Sequence, residues 1–127
     1  MTFTPALPVA WTEIPVADLD AGTAFYEAVT GCRLERQSMG PNETAVFVSD
    51  PPMSGGGVHL YPGTPAPGGT GPTVHLAIAD ALEDAIARVA PAGGTVVSPP
   101  IAIPDGRFAY ITDPDGNSIG LFEAAQR

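Results

Sequence analysis

Apolar and polar residues alternate along short segments of this chain, and two longer segments carry apolar residues at helical spacing. Residues 7–16 alternate as a strand. Asp18 and Asp20 then offer N-caps for a helix that ends before Gly31 and is predicted to bury the stripe Ala21, Ala24, Phe25, Ala28 and Val29. Three more strands are predicted at 32–37, 44–49 and 57–61, with Gly- and Pro-rich turns between them.

The second half of the chain repeats this order. A strand is predicted at residues 73–79, and Asp80 with Glu83 resembles a capping box at the start of a helix that ends at Gly93-Gly94. Three strands follow at 95–98, 107–112 and 118–123. The second helical stripe lies 61 residues after the first, at Leu82, Ala85, Ile86, Val89 and Ala90.

A repeat of about half the chain length indicates a duplicated module. We predict an α+β fold in which two βαβββ modules form a curved mixed sheet around a cavity. The 127 residues are predicted to form a single domain, with module 1 at about 7–61, a linker at 62–72 and module 2 at about 73–124. One helix covers one face of each half-sheet, so the other face needs the opposite half, a partner chain or a ligand.

The charge of the chain disfavours some classes of partner, and its cysteine content indicates the compartment. The chain carries a net charge of −9, with five Arg and no Lys, so nucleic acid and anionic membranes are disfavoured as partners. An anionic substrate would need help from the few arginines or from a metal. The single Cys32 cannot form an internal disulfide, which is typical of a reducing compartment. With no long apolar run and no signal-peptide pattern, we expect a cytoplasmic protein.

Several strings in both halves match a known family in order and spacing. They are residues 14–20, Phe25-Tyr26 and Gly31 in the first half, and residues 74–78, 92–94 and 113–117 in the second. From about residue 9 to 123 the chain resembles the vicinal-oxygen-chelate superfamily (glyoxalase, bleomycin resistance protein and dioxygenase), and within it the small glyoxalase-like proteins.

The resemblance implies a site for one divalent metal, with one ligand on the first and last strands of each module. The four positions fall on Trp11, on His59, on His75 or its neighbour, and on Gly120. Tryptophan is not a metal ligand and glycine has no side chain, so the resemblance implies the superfamily's fold but not the usual glyoxalase I metal reaction.

The direction of His75 depends on the strand register. Matching residues 16–18 to 78–80 places His75 opposite Glu13 and toward the cavity, whereas matching from the downstream glycines turns it toward the helix. The bulky residues Val74, Leu76 and Ile78 suit helix packing, and this favours the first register.

Glu13, His59 and His75 are the candidate catalytic residues. Glu13 on the cavity face needs a partner such as histidine or a metal, unless it lies at an exposed edge. His59 either lines the pocket, or it is a histidine whose hydrogen bonds are satisfied inside the protein or whose tip reaches solvent. If all three converge, they could bind Fe(II), Mn(II), Zn(II) or Ni(II), or act without metal, with Glu13 as base and a histidine as acid. The cofactor is therefore none or one divalent metal.

Aromatic residues are predicted to line the cavity. Trp11 is either core packing or an aromatic wall for a ligand. The other candidate substrate-binding residues are Phe47, Tyr61, Tyr110, Gly120 and Phe122. Arg107 is either a carboxylate clamp or a solvated loop arginine.

The sequence therefore predicts a glyoxalase-like protein that binds a small oxygenated molecule and catalyses proton transfer, isomerisation or cyclisation as a lyase or isomerase. The alternatives are a non-catalytic antibiotic-binding protein of the bleomycin-resistance type, and a metal-dependent lyase or dioxygenase with displaced ligands. We expect a homodimer.

Overall fold

A computed structural model describes residues 2–6, 8–39, 42–52, 57–66 and 68–125. Its first module is a four-stranded sheet in the order β1-β4-β3-β2, in which β1 runs parallel to β4 and the other pairs are antiparallel. The elements in chain order are β1 (Thr12–Val16), α1 (Leu19–Thr30), β2 (Leu34–Met39), β3 (Asn42–Phe47) and β4 (Val58–Pro62). Leu7, the predicted start of the first strand, lies outside the described residues.

The second module repeats this arrangement. Its sheet has the order β5-β9-β8-β6, with β5 parallel to β9 and with β7 also paired to β8. The elements are β5 (Val74–Ala77), α2 (Leu82–Val89), β6 (Thr95–Val96), β7 (Ile101–Ile103), β8 (Gly106–Thr112) and β9 (Ser118–Ala124). The predicted α+β class is confirmed. Among the described residues, no helix is long and apolar enough to cross a membrane.

The buried face of α1 differs from the prediction. Asp18 does cap the helix, accepting a hydrogen bond from Ala21 N–H, and Gly31 ends it in a left-handed conformation at φ 77°. However, the predicted alanine positions are not buried, and the helix buries Leu19, Gly22, Phe25, Tyr26, Val29 and Thr30. Large side chains gain more from burial than alanines do, so Leu19 and Tyr26 set the rotation of the helix. α2 buries Leu82, Ala85 and Val89, which are three of the five positions of its predicted stripe.

The predicted capping box of α2 is wrong. Ala81 occupies the N-cap and gives no side-chain cap, while Asp80 binds Arg88 and Glu83 binds Arg107. The first turn is capped instead by Glu123 of β9, whose Oε1 accepts a hydrogen bond from Leu82 N–H at 2.8 Å. The helix also ends at Val89, before the predicted glycines.

The structure contains a strand that the sequence analysis treated as loop. β7 pairs with β8 just beyond the point where β6 leaves it, so both occupy one edge of the sheet. Pro99 and Pro100 separate them, because proline lacks the N–H that the ladder requires.

Hydrogen bonds between the two modules hold them together along their common boundary, which is called the seam. Arg88 of α2 donates to the carbonyl oxygens of Ala28 and Val29 at the end of α1. The turn at 113–117 meets β1, where Asn117 Nδ2 donates to Pro15 O at 2.8 Å. The turn therefore lies against the free edge of β1 and fixes the position of one module on the other.

Candidate functional site

The strand registers place equivalent residues of the two modules in matching rows. In the first sheet Glu13 of β1 lies beside His59 of β4, as His75 of β5 lies beside Gly120 of β9 in the second. The structural counterpart of His75 is therefore Glu13 and not Trp11, so Trp11 and His75 do not occupy equivalent positions in the two modules. Leu76 is buried against the helices and His75 is exposed on the opposite face, so the first of the two predicted registers is the one observed.

Glu13 and His59 form a direct pair. His59 Nε2 lies 3.1 Å from Glu13 Oε2, and an ionised carboxylate can only accept, so Nε2 then carries the proton. The histidine side chain is 6% exposed, whereas the glutamate side chain is 51% exposed. The buried imidazole therefore holds one carboxylate oxygen from the sheet side, and the remainder of the carboxylate reaches outward. The sequence analysis predicted a histidine partner for Glu13 as one of its alternatives.

His75 lies in a separate aromatic cluster. Its ring meets Phe108 edge-on at a centroid distance of 5.1 Å and lies 5.8 Å from Tyr110. A Cβ atom at Gly120 would overlap the imidazole, so the glycine leaves the space in which the ring lies. His75 is thereby directed across β9 toward β8.

A cavity of about 330 Å³ opens at the seam of the two modules. β1 and β5 are the edge strands of their sheets, and both contribute to its wall. Glu13 reaches this cavity, and Trp11 lines it while remaining 58% exposed, so core packing of Trp11 is excluded. The other lining residues are Thr12, Ile14, Pro15, Ala66, Thr70, Gly71, Pro72, Val74, Asn117, Ser118 and Ile119.

Sequence reasoning missed most of this wall. The segment at 62–72 was taken as a linker, yet four of its residues line the cavity. Asn117 comes from the Asp-Pro-Asp-Gly-Asn turn and Ser118 begins β9, and neither was predicted to line the cavity. The turn motif itself, which stands next to a strand of a duplicated module, was the sequence signal that could have identified these two residues.

A family model described as the Glyoxalase/Bleomycin resistance protein/Dioxygenase superfamily matches residues 9–121. The chain belongs to this superfamily. Over 123 residues it is 33% identical to the protein named "Putative glyoxylase CFP32" in Mycobacterium tuberculosis and in Mycobacterium bovis. That alignment covers 91% of this chain and 43% of the relatives, so the chain spans less than half of their length.

Solved structures of the superfamily share the fold. A glyoxalase/bleomycin resistance protein from Albidiferax ferrireducens has a TM-score of 0.66 and 26% identity, covering 91% of this chain and 98% of its own. The fosfomycin resistance protein FosX from Listeria monocytogenes has a TM-score of 0.63 and 17% identity, covering 98% and 96%. The likeness to FosX concerns the fold alone.

The side chains of this chain do not fit the superfamily's divalent metal. Among the residues that the structure describes, no three His, Cys, Asp or Glu side chains lie close enough to hold an ion. Glu13 and His59 meet each other, but His75 lies with the aromatic cluster of the other sheet. The three residues therefore do not come together within one chain, as a shared metal site would require. Gly120, which has no side chain, occupies the position of a fourth ligand.

The remaining predicted aromatic residues lie outside the cavity wall. Phe47 faces the helix side of its sheet, where its ring lies 5.8 Å from that of Tyr26, and it lines a second pocket beside β2 and not the seam cavity. Tyr61 packs beside Gly63, Tyr110 packs on His75, and Phe122 lies opposite Phe108 in the β8–β9 ladder. These three and Gly120 lie on the helix-distant faces of the sheets but not around this cavity.

Arg107 is neither of the predicted alternatives. It donates to both carboxylate oxygens of Glu83 at 2.6 and 2.8 Å and to Glu123 at 2.6 Å. The hydrogen bonds from Arg107 lower the pKa of Glu83 to about 2, and those from Leu82 N–H and Arg107 lower the pKa of Glu123. The guanidinium therefore holds α2 against β9 and is not available to a ligand.

A buried hydrogen bond supports the seam behind the cavity. The hydroxyl of Tyr26 donates to Asp113 Oδ2 at 2.5 Å, and Asp113 Oδ1 accepts from the backbone of Asp115 and Asn117. Burial, followed by the negative charge of Asp113, raises the pKa of Tyr26 far above its usual range. The tyrosine thus stays a donor, and it fixes the turn that supplies Asn117 to the cavity.

Proposed function

We propose that this chain binds a small oxygenated organic molecule in the seam cavity and transfers a proton on it, with Glu13 as the base. The observation that supports this is the position of Glu13. Its carboxylate reaches the cavity and is oriented by a buried histidine, whereas the rest of the wall is mainly apolar. Concave, mostly apolar pockets with a few polar groups are the usual sites for small ligands.

The reaction class follows from the groups present. Glu13 would accept a proton from a carbon next to a carbonyl, and the same carboxyl group would return it to a neighbouring carbon or oxygen. The double bond shifts and no co-reactant is needed, so isomerisation and intramolecular cyclisation both suit the site. His59 would position the carboxylate through Nε2, and His75 has no part in this cavity. Standard glyoxalase I chemistry is not proposed, because the ligand set does not fit a metal.

The main alternative is a binder that sequesters its ligand unchanged, as in antibiotic resistance of the bleomycin-resistance type. The wall presents a single ionisable side chain among the residues described, and this would also suffice for binding alone. The name of FosX states fosfomycin resistance, but at 17% identity that relative offers no support for a shared ligand. The homodimer, the cytoplasmic location and the assignment as lyase or isomerase stay predictions.

Solvent exchange separates the enzyme from the binder. Small aryl ketones that bind the protein by ligand-observed NMR would be incubated with it in D2O, and deuterium entering the carbon next to the carbonyl would be measured. We expect wild-type protein to accelerate this exchange and Glu13→Gln to slow it by about 10²-fold or more while binding persists. Chelator should leave the rate unchanged.

The matched control is Glu43→Gln, which removes an exposed carboxylate from β3 outside the cavity. It should exchange at the wild-type rate. Ketones that bind but exchange no faster than in buffer would show that the chain sequesters its ligand, and an undiminished rate in Glu13→Gln would exclude Glu13 as the base.

A further inference from the structure

The arginines that the structure describes are all engaged in ion pairs. The chain has no lysine and five arginines, of which Arg127 lies outside the described residues. The other four each form ion pairs with carboxylates, namely Arg33 with Glu35, Arg36 with Asp20, Arg88 with Asp80, and Arg107 with Glu83 and Glu123. None of these four lines the cavity.

The cavity itself presents the opposite charge. Glu13 is the one ionisable side chain among the described residues of the wall, and Trp11 lies in the same wall with more than half of its surface exposed. An indole face attracts a cation within about 6 Å of the ring centroid, most strongly when the cation is partly desolvated. The carboxylate of Glu13 and the indole of Trp11, two residues before it in the same wall, are therefore suited to an organic cation.

The charge of the whole chain acts in the same direction. At a net charge of −9, the field of the protein attracts cations toward a concave site and repels anions. An anionic ligand such as a phosphonate or a carboxylate would need a cationic partner that an arginine could give only by leaving its ion pair.

We propose that the cavity selects a small organic cation with an apolar or aromatic body, such as a protonated amine, over neutral and anionic molecules of the same size. The charged group lies at Glu13 and Trp11, and the apolar body lies against Ile14, Val74 and Ile119. This inference rests on the proposed binding of a small molecule in the seam cavity, and not on proton transfer by Glu13, and it adds the charge class of the ligand.

Three probes of similar size test it, namely protonated phenethylamine, phenethyl alcohol and phenylacetate. Trp11 is the single tryptophan of the chain and lines the cavity, so its fluorescence reports binding there. We expect the amine to bind about 10-fold or more tightly than the alcohol and phenylacetate to bind most weakly, with the preference decreasing as salt is raised.

Glu13→Gln should lower the affinity for the amine to that for the alcohol and leave the alcohol unchanged, whereas Glu43→Gln should preserve the preference. Equal binding of amine and alcohol, or tighter binding of phenylacetate, would overturn the charge class and leave cavity binding standing. If none of the three probes changes Trp11 fluorescence or a ligand-observed NMR signal, both this inference and the proposed binding fail.

Discussion

At the level of single residues, the two modules place different side chains at equivalent points of their sheets. Glu13 and His59 form a hydrogen-bonded pair in the first sheet, whereas His75 lies over Gly120 in the second. Two polar groups in contact can share a proton, but an imidazole beside a glycine has no such partner. One module therefore carries a candidate acid–base pair, and the other carries an aromatic cluster.

Gly120 should be required for the position of His75. In Gly120→Ala the new methyl group overlaps the imidazole, and because His75 is exposed, the ring can turn into solvent. The loss of its edge-on contacts would cost about 0.5–1.5 kcal/mol. By NMR, the imidazole protons should lose the ring-current shifts caused by Phe108 and Tyr110.

A double-mutant cycle provides the control for that prediction. In a His75→Ala background the alanine at position 120 no longer overlaps the imidazole, so Gly120→Ala should cost less there than in the wild type. Equal costs in the two backgrounds would show that the overlap does not determine the position of His75.

At the level of elements, the two helices are capped by different means. Asp18 caps α1 from the adjacent position in the chain, as local sequence patterns predict. α2 begins after Ala81, and its cap comes from Glu123, which is 41 residues away in β9. No local pattern could show this cap, because it depends on the β9 side chain reaching the helix through the fold.

Removing the distant cap should loosen the start of α2. In Glu123→Ala, Leu82 N–H loses its acceptor and Arg107 loses one of its two partners, so Tm should fall and amide exchange at residues 82–85 should rise. Glu123→Gln keeps an acceptor oxygen for Leu82 and should have a smaller effect. Glu83→Ala removes only the two hydrogen bonds from Arg107 to Glu83, so it should affect Tm without exposing Leu82 N–H. Equal exchange at Leu82 in all three variants would contradict the cap.

At the level of the whole molecule, the order of the helices and strands was predictable apart from β7, but most of the residues that line the cavity were not. The repeated stripes and turns predicted both modules, because hydrophobic periodicity is a local property. Pro99 and Pro100 lie directly before β7 and hid it, since consecutive prolines between two strands usually mark a turn or loop. The cavity lies where β1, β5 and the segment at 62–72 come together. Contacts between residues distant in sequence determine how these three segments pack, so local patterns do not predict the lining residues. The pairing of Glu13 with His59 needed only alternation along two neighbouring strands, so it could be anticipated.

The joint between the modules depends on Tyr26, which links α1 of the first to the 113–117 turn of the second. Tyr26→Phe removes a buried donor from Asp113 and should destabilise the fold by about 1.5–3 kcal/mol at neutral pH. Because the variant leaves the ring in place, chemical denaturation should show a lower midpoint with an unchanged slope.

The same hydroxyl sets the alkaline limit of stability. The pKa of Tyr26 is raised in the folded state above its unfolded value of 10.0, so its contribution is complete below pH 10 and decreases as the unfolded chain ionises above it. For one proton the slope is about 1.4 kcal/mol per pH unit. The stability difference between wild type and Tyr26→Phe should therefore shrink between pH 10 and pH 11.5. Phe25→Leu, a core change beside it that keeps the hydroxyl, should retain the wild-type slope, and a constant difference for Tyr26→Phe would show that the hydroxyl ionises equally in both states.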